Sequence, residues 1–177
     1  MAGEMVWIDL EMTGLDLATE SIIEIATIIT DGELNIIAEG PNLAIKVSEE
    51  LIANMDDWNT THHTSSGLVD RIRSEGVSLE EAIKQTCDFL EQNIESGKAP
   101  LCGNSIHNDR AFLAKEMPEV LELLHYRIVD VSTIKELVNR WYPNLKKYRK
   151  KEAHRALDDI IESVEELRHY RQHIFKD

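Results

Sequence analysis

The chain has 177 residues, of which 42% are hydrophobic, and a formal net charge of −14. That length suits a single domain, spanning 1–177, that buries roughly two-thirds of its unfolded surface without staples. The charge argues against nonspecific binding to long nucleic acid, whose affinity comes from neutralised phosphates, but leaves room for a short nucleic-acid substrate held locally.

Cys87 and Cys102 show no C-x-x-C spacing and read as reduced core residues. No apolar run is long enough to span a membrane, and the start carries no secretion signal. The expectation is a cytoplasmic protein.

In chain order, strand patterns come first: Val6–Met12, then Ser21–Thr30, rich in β-branched residues. Asp31-Gly32 signals a hairpin into a strand near Glu33–Glu39, with a short one at Ala44–Val47. The period then changes. Ser78–Gln92 places Leu79, Ala82, Ile83, Phe89 and Leu90 at helical spacing behind a capping box of Ser78 and Glu81.

Ala99–Gly103 reads as a short strand, and Asn108–Glu116 as a helix stopped before Pro118. Arg127–Val131 is a further strand, followed by a helix capped at Ser132 or Thr133 and ending near Trp141. A long last helix runs from about Arg155 to His173, with Leu157, Ile160, Ile161, Val164 and Leu167 on one stripe. Hairpins followed by β-α-β-α units give an α/β fold: a mixed sheet with helices on its faces.

The first strand contains an anomaly. In V-W-I-D-L-E-M the acids Asp9 and Glu11 are two apart, so both project from one face of a strand otherwise built for burial. Asp109, at a helix start, is either an ordinary cap-region acid or a third member of that set. His154 with Asp158-Asp159 repeats the ambiguity at the last helix, and the helical wheel does not choose between the two aspartates.

Hard divalent cations such as Mg²⁺ and Mn²⁺ prefer oxygen ligands, and a pair of them clamps a phosphodiester undergoing in-line displacement. One cation lowers the pKa of the attacking water, and the other stabilises the leaving oxygen. Carboxylates converging from separate elements are what such a pair requires, with a nearby histidine to deprotonate the water.

The order of these motifs, D-x-E, a central Asp and H-x-A-x-x-D, resembles the DEDD exonucleases of the histidine type. Within them the chain is similar to the oligoribonuclease family along essentially its whole length. The resemblance is carried by W-I-D-L-E-M-T-G-L-D (7–16), I-I-E-I-A-T-I-I-T-D (22–31), L-C-G-N-S-I-H-N-D-R-A-F-L (101–113), Y-R-I-V-D-V-S-T-I-K-E-L (126–137) and H-R-A-L-D-D-I (154–160).

It implies a ribonuclease H-like mixed β-sheet flanked by α-helices. It also implies 3′-to-5′ hydrolysis of very short RNAs, dinucleotides above all, to 5′-mononucleotides, by a homodimer. Asp9, Glu11, Asp109 and Asp159 would hold two divalent ions, Mg²⁺ or Mn²⁺, with His154 as general base and Asp158 a bystander. Leu15 would wedge against a base, and Trp58 would bound the same pocket by stacking. His63, Ser105, Tyr126, Arg127 and Ser132 would hold the substrate's 5′ end, the last three serving the neighbouring protomer.

His62 reads either as a solvated loop histidine or as a ligand. The basic run 146–151 reads either as a solvated loop or as positive charge brought to the phosphate by a flap. Two other readings compete for the chain: a proofreading-type exonuclease for longer ends, and a noncatalytic nucleic-acid-binding module.

Overall fold

A strand buried along its whole length must be covered on both faces, and residues 22–30 form such a strand. The computed structural model describes residues 3–148 and 156–175. Its strands are β1 (Met5–Met12), β2 (Ile22–Thr30), β3 (Ile36–Ala44), β4 (Pro100–Gly103) and β5 (His125–Asp130). Its helices are α1 (Glu49–Ala53), α2 (Asp57–Ser65), α3 (Leu68–Glu75), α4 (Leu79–Asn93), α5 (His107–Glu116), α6 (Pro118–Glu122), α7 (Val131–Trp141) and α8 (Ala156–His173).

The sheet order is β3-β2-β1-β4-β5. The first three strands form an antiparallel meander, and β4 and β5 add parallel to β1 on its other edge. Alternation along β1 then sorts the core. Val6, Ile8 and Leu10 pack on one side with Leu90 of α4, Phe112 and Leu113 of α5 and Val120 of α6. Trp7 packs on the other side with Val131 and Val138 of α7 and Ile160 and Val164 of α8. Asp9 and Glu11 share the side of Trp7 by the same alternation, so they are presented toward α8. The mixed, helix-flanked sheet agrees with the expected fold class.

Four local expectations need correction. The strand expected near Glu33–Glu39 runs Ile36–Ala44 as β3, and of the short strand expected at Ala44–Val47 only Ala44 lies in it, Ile45 making a single parallel bridge to Val77. Gly40-Pro41 looks like a breaker, but the register to β2 shifts there and the strand continues. Because β3 is an edge strand, the missing Pro41 N–H leaves no ladder bond broken in the sheet interior.

The segment 48–77, where no element was expected, holds α1, α2 and α3. These helices are short, and Ile52, Leu68, Val69 and Ile72 pack as a satellite core against Ile23 and Ala44. Gly67, at φ 78°, turns α2 into α3 in the left-handed region that glycine adopts without penalty. The cap of α7 is Asp130, whose carboxylate accepts from the Ser132 N–H, and not Ser132 or Thr133. Ser78 does cap α4 by accepting from the Glu81 N–H, but the Glu81 carboxylate accepts from Gln85 Nε2 at 2.7 Å.

One buried charge was not anticipated. Glu24 on β2 is only 2% exposed and lies directly opposite Glu11 in the β1–β2 register. Arg71 of α3 reaches it with a guanidinium N–H and also bonds Glu75 Oε1 at 2.7 Å. Removing one partner of a buried pair leaves an uncompensated charge, which costs about 3–5 kcal/mol when both partners are buried. Arg71 is partly exposed, so Arg71→Met should lose about 3 kcal/mol of unfolding free energy in urea titration, with Arg71→Lys between it and the parent. An unchanged midpoint would show that Glu24 does not depend on this pair.

Candidate metal and nucleotide site

The site forms where the sheet runs out. Strand β4 is short and pairs with β1 only at Val6 and Trp7, so the later half of β1 has no strand on that edge. The Leu10 N–H exposed by that gap donates instead to Asp109 Oδ1 at 3.0 Å, which ties the start of α5 to β1. The carboxyl end of β1 thereby becomes a crevice between layers, the place where open α/β sheets bind ligands.

Asp9, Glu11 and Asp159 converge there, each offering a carboxylate oxygen, with the three oxygens all within 4.8 Å of one another. Asp159 turns inward from the first turn of α8 while Asp158 is exposed, which separates two residues that periodicity left equivalent. Asp109 lies outside that three-way set, but close enough for its charge to act on Glu11.

A buried polar chain steadies α8. Ser163 Oγ donates to the Asp159 carbonyl at 2.8 Å, and Asn104 Nδ2 donates to Ser163 Oγ at 2.7 Å and Glu166 Oε2 at 3.2 Å. Tyr170 Oη donates to Glu166 Oε1 at 2.8 Å, and the Lys135 ammonium lies 3.4 Å from the same oxygen.

Electrostatically the cluster is unfinished. Burial, then the charges of Glu24, Asp159 and Asp109, push Glu11 up to about 8. Burial pushes Asp109 up to about 7 against the Leu10 amide, which favours its ionised form. Oxygen-only donors from separate elements, crowded enough to resist ionisation, fit a pair of hard dications.

Beside the carboxylates is a recess of about 440 Å³ lined by Leu10, Glu11, Met12, Gly14, Leu15, Asp56, Trp58 and Asn59. Leu15 stands in the turn after β1 and Trp58 in α2, and they are 71% and 67% exposed. Large apolar groups left that open are available to a ligand and are not core. His63 lies behind them, 1% exposed, with Nε2 on the Met12 carbonyl at 2.9 Å and Nδ1 3.8 Å from Glu11 Oε2. Burial holds His63 below the usual imidazole range. His62, expected in a loop, is on α2 and stacks on Trp58 with ring centroids 4.6 Å apart.

The remaining expected residues are gathered elsewhere. Ser105, in the left-handed region at φ 51°, donates its N–H to Asp130 Oδ1 and Ser132 Oγ, both at 2.9 Å. Ser105 and Ser132 line a second recess of about 420 Å³ with His107, Asp130, Thr133, Glu136, Leu137 and Arg140. Tyr126 and Arg127 stand exposed on the edge strand β5, the guanidinium 5.3 Å from the centre of the Tyr126 ring. None of these four lines the recess beside Glu11. Trp141 and Tyr142, at the end of α7, are exposed. His154 and residues 149–151 of the basic run lie outside the described residues.

Glu24 is the residue the motifs did not expose. A lone acid in the run I-I-E-I-A carries the same anomaly as Asp9, and asking the same question of it would have found it.

The acids also set a pH dependence. Glu11 moves from 4.5 to about 8 and Asp109 from 3.8 to about 7. Without a cation the folded chain therefore holds more protons than the unfolded one, and stability falls as pH rises across that span. A dication needs the ionised forms, so the rise in Tm on adding Mn²⁺ should be larger at pH 8.5 than at pH 6. A thermal melt at both pH values checks this; equal shifts would contradict it.

Comparisons with known proteins place the chain in a family. A family model described as Exonuclease matches residues 6–167. An oligoribonuclease of Photobacterium profundum is 59% identical over 97% of this chain and 95% of its own length. A probable oligoribonuclease of Dictyostelium discoideum is 54% identical over 97% of this chain and 90% of its own. Among solved structures, exonuclease I of Methylocaldum szegediense superposes with a TM-score of 0.74 at 17% identity. E. coli exonuclease I in complex with a dA16 oligonucleotide gives 0.76 at 13%. These cover 98% and 97% of this chain, which spans about two-fifths of theirs (41% in both), and they share its fold. With its carboxylates gathered at the end of β1 and its length aligned almost completely with these relatives, the chain belongs to the exonuclease family and, within it, to the oligoribonucleases.

Proposed function

We propose that the chain is a 3′-to-5′ exoribonuclease that hydrolyses very short RNA oligonucleotides, dinucleotides above all, to 5′-mononucleotides. The observation that carries this is the set Asp9, Glu11 and Asp159, within 4.8 Å of one another, with Glu11 also lining the recess that holds Leu15 and Trp58. The names of the relatives support the substrate class.

In this reading Asp9, Glu11, Asp109 and Asp159 hold two divalent ions, Mg²⁺ or Mn²⁺. Bound there, they supply an activated water and neutralise charge on the phosphodiester. The chain's own residues do the rest. Leu15 and Trp58 clasp the terminal base by stacking and wedging, which tolerates any base. His154 takes the proton of the attacking water onto its imidazole, and the 3′ oxygen of the upstream nucleotide leaves.

Ser105, Ser132 and Arg127, with Tyr126, receive the 5′ end, the arginine fork being suited to a terminal phosphate. His63, beside Glu11, belongs to the same substrate-holding set. Tyr126, Arg127 and Ser132 stand away from the recess beside Glu11, which suits their service to the site of a second copy in a homodimer. A closed 5′ end leaves no room for a further nucleotide, so length is measured by exclusion. The described residues contain no helix long and apolar enough to cross a membrane.

Hydrolysis of a labelled series from two to seven nucleotides in Mg²⁺ or Mn²⁺ tests the reading. The dimer should be cut fastest, and equal rates on dinucleotides and twenty-mers would favour a proofreading-type exonuclease. Asp9→Asn should lower kcat by about 10³-fold, since a Lewis acid contributes several kcal/mol to the barrier. Trp58→Ala should lower kcat/KM by about 5- to 150-fold, the equivalent of about 1–3 kcal/mol of stacking. Full activity in Asp9→Asn would misplace the metal site.

A further inference from the structure

Glu11 belongs to a second convergent set. Its carboxylate and ring nitrogens of His62 and His63 all lie within 4.8 Å of one another, and this set differs in chemistry from the all-oxygen cluster beside it. Two imidazoles and one carboxylate suit a borderline ion such as Zn²⁺, whereas Mg²⁺ takes oxygen ligands.

His63 is built for the part. A carbonyl only accepts, so Nε2 donates its N–H to Met12 O at 2.9 Å, the backing that metal-bound histidines ordinarily have. That leaves Nδ1 turned toward Glu11. Among the described residues this buried nitrogen has no hydrogen-bond partner. Ligands about 2.0–2.1 Å from a tetrahedral ion stand about 3.3–3.4 Å apart. The His63 Nδ1 to Glu11 Oε2 separation is 3.8 Å, so a small movement closes it.

His62 needs more adjustment, but its ring is already held between Trp58, stacked at 4.6 Å, and the edge of His63 at 5.4 Å. Glu11 and Trp58 also line the recess, from which water would supply a fourth ligand.

We propose that Glu11, His62 and His63 form a zinc-type transition-metal site that shares Glu11 with the all-oxygen cluster. An ion there draws Glu11 toward α2, away from Asp9 and Asp159, and antagonises turnover. That consequence rests on the functional reading above; the binding itself does not.

Zinc binding to the whole protein is measured by competition with a chromogenic chelator in excess Mg²⁺, which keeps the carboxylate cluster filled. X-ray absorption of the zinc form should show two imidazole ligands. His62→Ala should weaken binding about tenfold or more, and Asp109→Asn should leave it within about threefold. Where His62→Ala does not fold by circular dichroism, His62→Gln takes its place. Oxygen-only ligation, unchanged affinity in the His62 variant, or loss in Asp109→Asn would overturn the site. With dinucleotide in Mg²⁺, inhibition should follow the zinc isotherm and weaken with the His62 variant; stimulation by zinc would overturn the antagonism while leaving the exonuclease reading standing.

Discussion

The structure turns on one electrostatic constraint: acids of like charge are crowded at the carboxyl end of β1. Glu11 faces Glu24 across the ladder and Asp159 across the layer, with Asp109 near enough to add its field. Left alone, such a group resists ionisation, which is why Glu11 sits near 8. Charges held together this way need cations. Arg71 is a permanent source and serves Glu24; for the front of the cluster the proposed source is divalent ions.

The framework follows from keeping that cluster in place. Burial of Val6, Trp7, Ile8 and Leu10 on two faces prevents β1 from twisting its acids toward water. The short β4 frees one edge of β1, and Asp109 takes the amide so released. Asn104 and Ser163 hold α8 through hydrogen bonds, so the position of Asp159 does not rely on apolar packing alone. Buried polar chains of this kind specify a geometry more sharply than hydrophobic contact does. The turn after β1 and the short α2 then place Leu15 and Trp58 at the mouth, where exposure costs little and stacking area is gained.

Much of this was legible from residues. Strands β1 and β2 and helices α4 and α8 announce themselves by period, α5 by its stop before Pro118, and Asp9 and Glu11 by being acids in a buried pattern. Asp159 was separable from Asp158 only by motif, because the two flank one stripe, and the fold resolves them by half-burying Asp159 beside Asp9 and Glu11 while Asp158 stays exposed. The helices α1 and α2 were not legible, α1 having five residues and α2 almost no apolar stripe; α3 does carry one in Leu68, Val69 and Ile72, and these residues with Ile52 of α1 pack on Ile23 and Ala44. His62 was misread as a loop residue because it belongs to α2. The reach of β3 past Pro41 was not legible, because what a proline does to a strand depends on whether that strand is at an edge, which is a property of the sheet and not of the segment. Glu24 carries the same signal as Asp9, an acid in an apolar run, while its partner Arg71 is supplied by α3.

The central claim is that the acid cluster is relieved by divalent cations rather than by protons. Carboxyl carbon chemical shifts of Glu11, followed by NMR through a pH titration with and without Mg²⁺, test it directly. The account predicts a midpoint of about 8 in the metal-free protein, and an ionised Glu11 down to below pH 6 once Mg²⁺ is saturating. A midpoint near the ordinary value of 4.5 without metal, unmoved by Mg²⁺, would contradict it.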